Sequence, residues 1–220
     1  MKPRELLGTG TTPDGEVISL AQEGGHFVVR VRGVSLMSSA VHGSEEQMAT
    51  IACTPLAGAP SPRVLVGGLG MGFTLRAALD LLGPGAEVVV AELLPIIVDW
   101  NRGPLAELAR RPLDDPRARV VVDDVAAILR QRPGAFDAIL LDVDNGPDAL
   151  TVETNAGLYG DRGVSMLRAA LRPGGVLVVW SAFACPPFAA RMRRAMSVEV
   201  VATRARGKKG SRHTLYVGRR

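Results

Sequence analysis

Nine residues between positions 67 and 144 have the types and spacing that chemistry needs. Gly67, Gly68, Gly70 and Gly72 make a turn with almost no side-chain bulk, and Glu92 follows twenty residues after Gly72. Asp123 and Asp124 come next, and then Asp142 with Asp144 two positions on. Glycines let a backbone approach a ligand, and a helix beginning just behind them offers unpaired N–H groups. A carboxylate closing the next strand accepts hydrogen bonds from both hydroxyls of a ribose. The chemistry implied is nucleotide or nucleoside binding, with Asp142 and Asp144 as candidate catalytic carboxylates. An ionised Asp142 can orient a donor and accept a proton, while Asp144 anchors a second donor or caps its own loop. A dinucleotide fold needs G-x-G-x-x-G, whose third glycine would fall at position 73, and that residue is Phe73.

The elements that position these residues alternate. Val64–Val66 reads as a strand buried on both faces, the glycine turn follows, and Phe73–Leu82 has helical apolar spacing stopped by Gly83-Pro84-Gly85. A second strand runs from Val88 to Glu92. A helix is expected over Leu94–Leu108, with Pro95 in its first turn. A third strand starts at Arg119 and ends in Asp123-Asp124. A short helix, a strand from Phe136 to Asp142, a helix over Gly163–Leu171 and a strand over Val176–Trp180 come next. A helix over Phe188–Met196 leads to two final strands, Val198–Thr203 and His213–Gly218, joined by a basic loop, Arg204–Arg212. Acids at three successive strand ends fall on one edge of a parallel sheet, where open α/β sheets take ligands. The last two strands connect too briefly for a parallel crossover, so one should run antiparallel.

The expected fold is therefore α/β: a Rossmann-like, doubly wound, mostly parallel seven-stranded sheet over residues 61–220. A small N-terminal β-hairpin region and a lead-in helix fill residues 1–60. Glu16–Leu20 and His26–Arg32 are its strands. Ser44 is the expected N-cap of the lead-in helix, with Gln47 completing a capping box. His42 and Glu46 border the expected pocket or serve the helix alone. Trp180 lines the pocket or packs in the core, and His213 is read as a strand residue.

Bulk properties narrow the class. The 220 residues fit one domain, no apolar run approaches a membrane span, and Met1–Glu5 lacks the apolar core of a signal peptide. Cys53 and Cys185 have no metal-ligand spacing, so a reduced, cytoplasmic protein is expected. The net charge of +4 is uneven: residues 191–220 hold ten Lys/Arg against Glu199 alone. No nucleic-acid motif and no aromatic stacking platform accompanies those cations, so a small-molecule partner is expected rather than RNA or DNA.

The G-x-G-x-G spacing resembles the loop of class I S-adenosylmethionine-dependent transferases, and residues 40–182 look most like the spermidine synthase (polyamine aminopropyltransferase) family. Val66–Gly72 stands at that family's glycine loop. The resemblance implies that Glu92 binds the ribose, that Asp124, with Asp123 beside it, contacts the adenine amino group, and that Asp142 opens the catalytic D-x-x-D loop. Gly146-Pro147 is similar to the close of that loop. Three departures stand out: Gly70 or Met71 occupies the place of the family's glycine-loop aspartate, Asn145 replaces the second loop aspartate, and Ser44-Glu45-Glu46 is only a loose counterpart of a Tyr-His-Glu segment. The implied cofactor is S-adenosylmethionine or its decarboxylated form, giving S-adenosylhomocysteine or methylthioadenosine, with no metal. Three functions remain open at this level: aminopropyl transfer to an amine, methyl transfer to a small molecule, and a non-catalytic nucleoside-binding homologue. The resemblance and the small N-terminal sheet imply a homodimer.

Overall fold

The structure, a computed structural model, describes residues 4–143, 157–206 and 209–220. The chain opens with an antiparallel sheet of four strands: β1 (Arg4–Thr11), β2 (Val17–Glu23), β3 (His26–Val31) and β4 (Val34–Ser38). Helix α1 (Gly43–Cys53) leads to the larger unit: β5 (Arg63–Gly67), α2 (Phe73–Leu81), β6 (Glu87–Glu92), α3 (Pro95–Arg102), β7 (Ala118–Val122), α4 (Val125–Gln131) and β8 (Phe136–Leu141). Then come α5 (Asp161–Ala170), β9 (Leu171–Ser181), α6 (Pro186–Arg193), β10 (Ser197–Arg206) and β11 (Lys209–Arg219).

The larger sheet has the order β10-β11-β9-β8-β5-β6-β7. β5 pairs in parallel with β6 and β8, and β6–β7 and β8–β9 are parallel too. β11 runs antiparallel to β9 and to β10. The strand order reverses beside β5, so the carboxyl ends of β5 and β8 flank a switch point where a crevice must open. Alternate residues feed two cores. Val64, Val66, Val88 and Val90 pack under α2 and α3, whereas Leu65, Val89, Ile139 and Leu141 pack under α4, α5 and α6. Burial on both faces is why these strands read as unbroken apolar runs.

Several boundaries differ from expectation for local reasons. The N-terminal region has four strands rather than a hairpin. Glycines at 8 and 10 hide β1 from propensity, yet a Cβ at Gly8 would lie 2.6 Å from Trp100 Nε1 and one at Gly10 3.0 Å from Ile96. These glycines let β1 lie on α3, and Ile18, Leu20 and Val29 join the core that holds Met48, Leu75 and Trp100. Helix α3 stops at Arg102 because Gly103-Pro104 follows. Pairing of β10 and β11 runs on to Arg206 and Lys209, so most of the expected basic loop is ladder. Ser44 lies inside α1 and His42 is the N-cap residue, with no side-chain capping bond, so the expected capping box does not form. Among the described residues no helix is long and apolar enough to cross a membrane.

Candidate nucleoside and acceptor site

The glycine turn joins β5 to α2 with positive φ at Gly68 (88°), Gly70 (53°) and Gly72 (84°). Their surroundings separate their roles. A Cβ on Gly68 would lie 2.5 Å from the Asp142 carbonyl oxygen, and one on Gly72 would lie 3.0 Å from both Asn101 Oδ1 and Pro112 Cγ. Those two glycines serve the fold. Gly67 is crowded as well, by Leu141 at 2.7 Å. Gly70 differs: its absent Cβ would meet only Met37 Sδ, 3.8 Å away. The turn therefore presents open space at Gly70, with Met37 of β4 beside it.

Glu92, at the end of β6, is buried with 8% exposure. Its Oε2 accepts the Leu69 N–H at 2.9 Å and its Oε1 accepts the Leu94 N–H at 2.9 Å. Burial pushes its pKa up, while N–H groups of Leu94, Leu69, Gly70 and Leu93 oppose the shift. The carboxylate thus already faces the glycine turn. Asp123 and Asp124 follow β7 and are exposed. Asp124 caps α4, its Oδ1 accepting the Ala126 N–H at 2.9 Å, and Asp123 Oδ1 accepts the Asp124 N–H at 2.8 Å. Leu93 and Val122, one beside each acid-bearing strand end, expose apolar surface on the same edge. Only the sheet brings these two residues together, so no local pattern in the sequence marks them.

Asp142 follows β8 and continues its ladder, donating its N–H to Gly67 O at 3.0 Å. Its side chain is half-buried. Burial, with the Glu45 carboxylate as a second cause, pushes its pKa up to about 8. Glu45 comes from α1, which packs against β8, β9 and β10. Its own pKa is raised by burial, against the bond from Ser44 Oγ to its Oε2 at 2.9 Å. Ser44 Oγ also lies 3.1 Å from His213 Nδ1, and the His213 ring meets Trp180 edge-on at 4.8 Å. Among the described residues, no Lys or Arg forms an ion pair with Asp142 or Glu45. His42 pairs with Glu46 at 3.0 Å and stacks on Phe73 at 4.2 Å. Asp144 and Asn145 to Asp148 lie outside the described residues.

The Glu45–Asp142 coupling leads to a measurable expectation. Replacing Glu45 by Gln removes a negative neighbour, which favours the ionised form of Asp142. The 13C-carboxyl resonance of Asp142 should titrate near the pKa of about 8 in the wild type and at lower pH in Glu45→Gln. An unmoved midpoint would mean that the two carboxylates do not interact.

A parallel sheet with this strand order, a glycine turn after its first strand and an acid closing the second defines the class I S-adenosylmethionine-dependent transferase type of fold. The nearer resemblance is to aminopropyltransferases. No family model matches the chain. It is 37% identical over 127 residues to the polyamine aminopropyltransferase of Mycobacterium tuberculosis, a match covering 56% of this chain and 23% of that protein. The chain thus spans about a quarter of the length of that relative. The spermidine synthase of Thermotoga maritima superposes with a TM-score of 0.76 at 18% identity, covering 98% of this chain and 72% of the other. A spermidine synthase in complex with the transition-state analogue AdoDATO gives 0.75 at 17%, with the same coverage.

Proposed function

We propose that this chain is a spermidine synthase-like transferase that binds decarboxylated S-adenosylmethionine and moves its aminopropyl group to an amine. The observation that carries the reading is the half-buried carboxylate pair Glu45–Asp142, which no described Lys or Arg neutralises, beside the open face of the glycine turn. Such a pair suits a cationic ligand. The relatedness to polyamine aminopropyltransferases supports the same reading. An intact cofactor would bring a carboxylate toward two others, which favours the decarboxylated form.

In this reading Gly67, Gly68, Gly70 and Gly72 form the cradle, Glu92 holds the ribose hydroxyls, and Asp123 and Asp124 meet the adenine edge over Leu93 and Val122. The sulfonium supplies an activated carbon: its C–S bond breaks as the amine C–N bond forms, leaving the neutral thioether methylthioadenosine. Asp142 aligns the amine and takes its proton, with Asp144 as a second anchor. A proton acceptor near neutrality is the useful kind, and two cationic ligands would draw the Asp142 pKa down from its raised value. A homodimer in the cytoplasm belongs to the same proposal, supported by Leu6, Val17, Val34 and Leu36, which the N-terminal sheet leaves exposed. Light scattering at the mass of one chain would remove the dimer.

The deciding experiment is calorimetry with decarboxylated and intact S-adenosylmethionine, followed by mass spectrometry of putrescine and spermidine incubations. The expected result is binding of the decarboxylated form and an aminopropyl-extended amine. Methylated product with intact cofactor would replace the proposal by methyl transfer, and nucleoside binding with no product from any amine would leave a non-catalytic binding protein. The ribose assignment has its own test. Glu92→Ala should cost about 1.5–3 kcal/mol of methylthioadenosine affinity, the worth of charge-assisted hydrogen bonds. Equal affinity in a folded variant would end that assignment.

A further inference from the structure

Asn101 is a polar residue on the buried face of α3. Ile97 and Val98 lie one turn before it on that face, and Asn101 itself is 2% exposed. Its Nδ2 donates to two carbonyl oxygens, Gly70 O at 2.9 Å and Ile97 O at 2.9 Å. Two acceptors on one side fix which end of the amide faces them, since a flipped amide would set oxygen against oxygen. The other end, Oδ1, is buried and has no hydrogen-bond partner. An unpaired buried acceptor is unfavourable, and an apolar side chain of the same shape would avoid it. Asparagine at this position therefore gains its value from the bonds made by Nδ2.

One of those bonds reaches the glycine turn at Gly70, the one glycine of the four whose missing side chain leaves open space. The peptide just before Gly70 is held from β6, because Glu92 takes the N–H of Leu69. The turn is thus held on both sides, at the Leu69 N–H by a carboxylate and at the Gly70 C=O by an amide. Asn101 Oδ1 also stands 3.0 Å from where a Cβ on Gly72 would be, so the same side chain keeps the end of the turn free of bulk. Without the grip, a residue at φ 53° with open space on one side has many other conformations within reach.

We propose that Asn101 is a positioning residue that holds the Gly70 peptide in the conformation competent to bind the nucleoside. The claim rests on the nucleoside-binding reading of the turn, and it goes beyond that reading by assigning the turn's shape to a side chain outside it. Asn101 acts through Gly70.

Two variants test this. Asn101→Leu keeps the branched outline and removes both hydrogen bonds together with the unpaired oxygen, and its thermal midpoint, measured beside binding, shows whether the fold survives the loss of the Gly70 C=O partner. Asn101→Ser can still bond back to Ile97 O but is too short to reach Gly70. It keeps the helix-side contact and loses the turn-side one, and it serves if the leucine variant does not fold. The first readout is hydrogen exchange of the amides of residues 69–72 in the ligand-free protein. The second is calorimetric titration with methylthioadenosine. Both variants should exchange these amides faster and bind methylthioadenosine about tenfold more weakly, the worth of one hydrogen bond. Unchanged exchange would overturn the proposal. Faster exchange with unchanged affinity would also overturn it, reducing Asn101 to a structural tie. If the wild type itself binds no methylthioadenosine, the nucleoside reading fails, and the exchange arm alone still decides whether Asn101 holds the turn.

Discussion

Asp142→Asn should retain most of the affinity for methylthioadenosine and lose about 10²–10⁴ in turnover, the usual contribution of a positioned general base. Asparagine keeps the shape and removes both the charge and the proton acceptor. The backbone of Asp142 is tied into the sheet by its N–H bond to Gly67 O, so the substitution leaves the turn undisturbed. The pH dependence follows from the raised pKa. Asp142 is neutral below a pH of about 8 and ionised above it, so the free protein gains its base as pH rises through that value. In the wild type kcat/KM should therefore climb with pH and level off above it, and this inflection should vanish in Asp142→Asn. Full turnover in the variant would take Asp142 out of the mechanism and leave Asp144 and proximity to do the work. The amines to screen are those that the wild type extends.

Gly70→Val should leave a folded protein that has lost about a hundredfold or more in methylthioadenosine affinity. The argument separates two costs. A β-branched residue at φ 53° is strained by roughly 1–2 kcal/mol, which lowers the thermal midpoint by several degrees in a chain of this size. The Cβ itself meets no close protein atom, since Met37 Sδ lies 3.8 Å from its position. The methyl groups enter the space that the ligand needs, and overlap of that kind is worth about 1–3 kcal/mol or more. Gly68→Ala is the control. Its Cβ would strike the Asp142 carbonyl at 2.5 Å, so that variant should lose stability first. Undiminished affinity in folded Gly70→Val would make the turn structural only.

The two variants bear on a site whose halves differ in how they are encoded. The nucleoside half is local in sequence. A strand, a glycine turn, a helix and a closing acid are consecutive, and the positive φ values at Gly68, Gly70 and Gly72 can be anticipated from residue type. Glu92 and Asp142 are legible for the same reason, because parallel strands joined by helices bring their carboxyl ends to one edge.

The acceptor half is not local. Glu45 meets Asp142 only because α1 packs across β8 and β9, and Ser44 meets His213 only because β11 inserts between β9 and β10. From sequence, Ser44 looked like a helix cap, since the pattern Ser-x-x-Gln is a local signal. Folding turned both residues to distant partners, Ser44 to His213 and Gln47 to Thr203. Met37 came to the glycine turn through a strand too short to stand out, and β1 was concealed by glycines whose purpose is to approach Trp100 and Ile96.

The sequence by itself determined the alternation of strands and helices, the glycine turn, and which acids close which strands, because each depends on residues a few positions apart. Tertiary structure alone decided that Gly68 and Gly72 are crowded while Gly70 is open, and that Asn101 grips the turn. It also decided that two carboxylates far apart in sequence, Glu45 and Asp142, share one half-buried corner. Burial and a neighbour's charge act through space, and only the packed chain sets those distances.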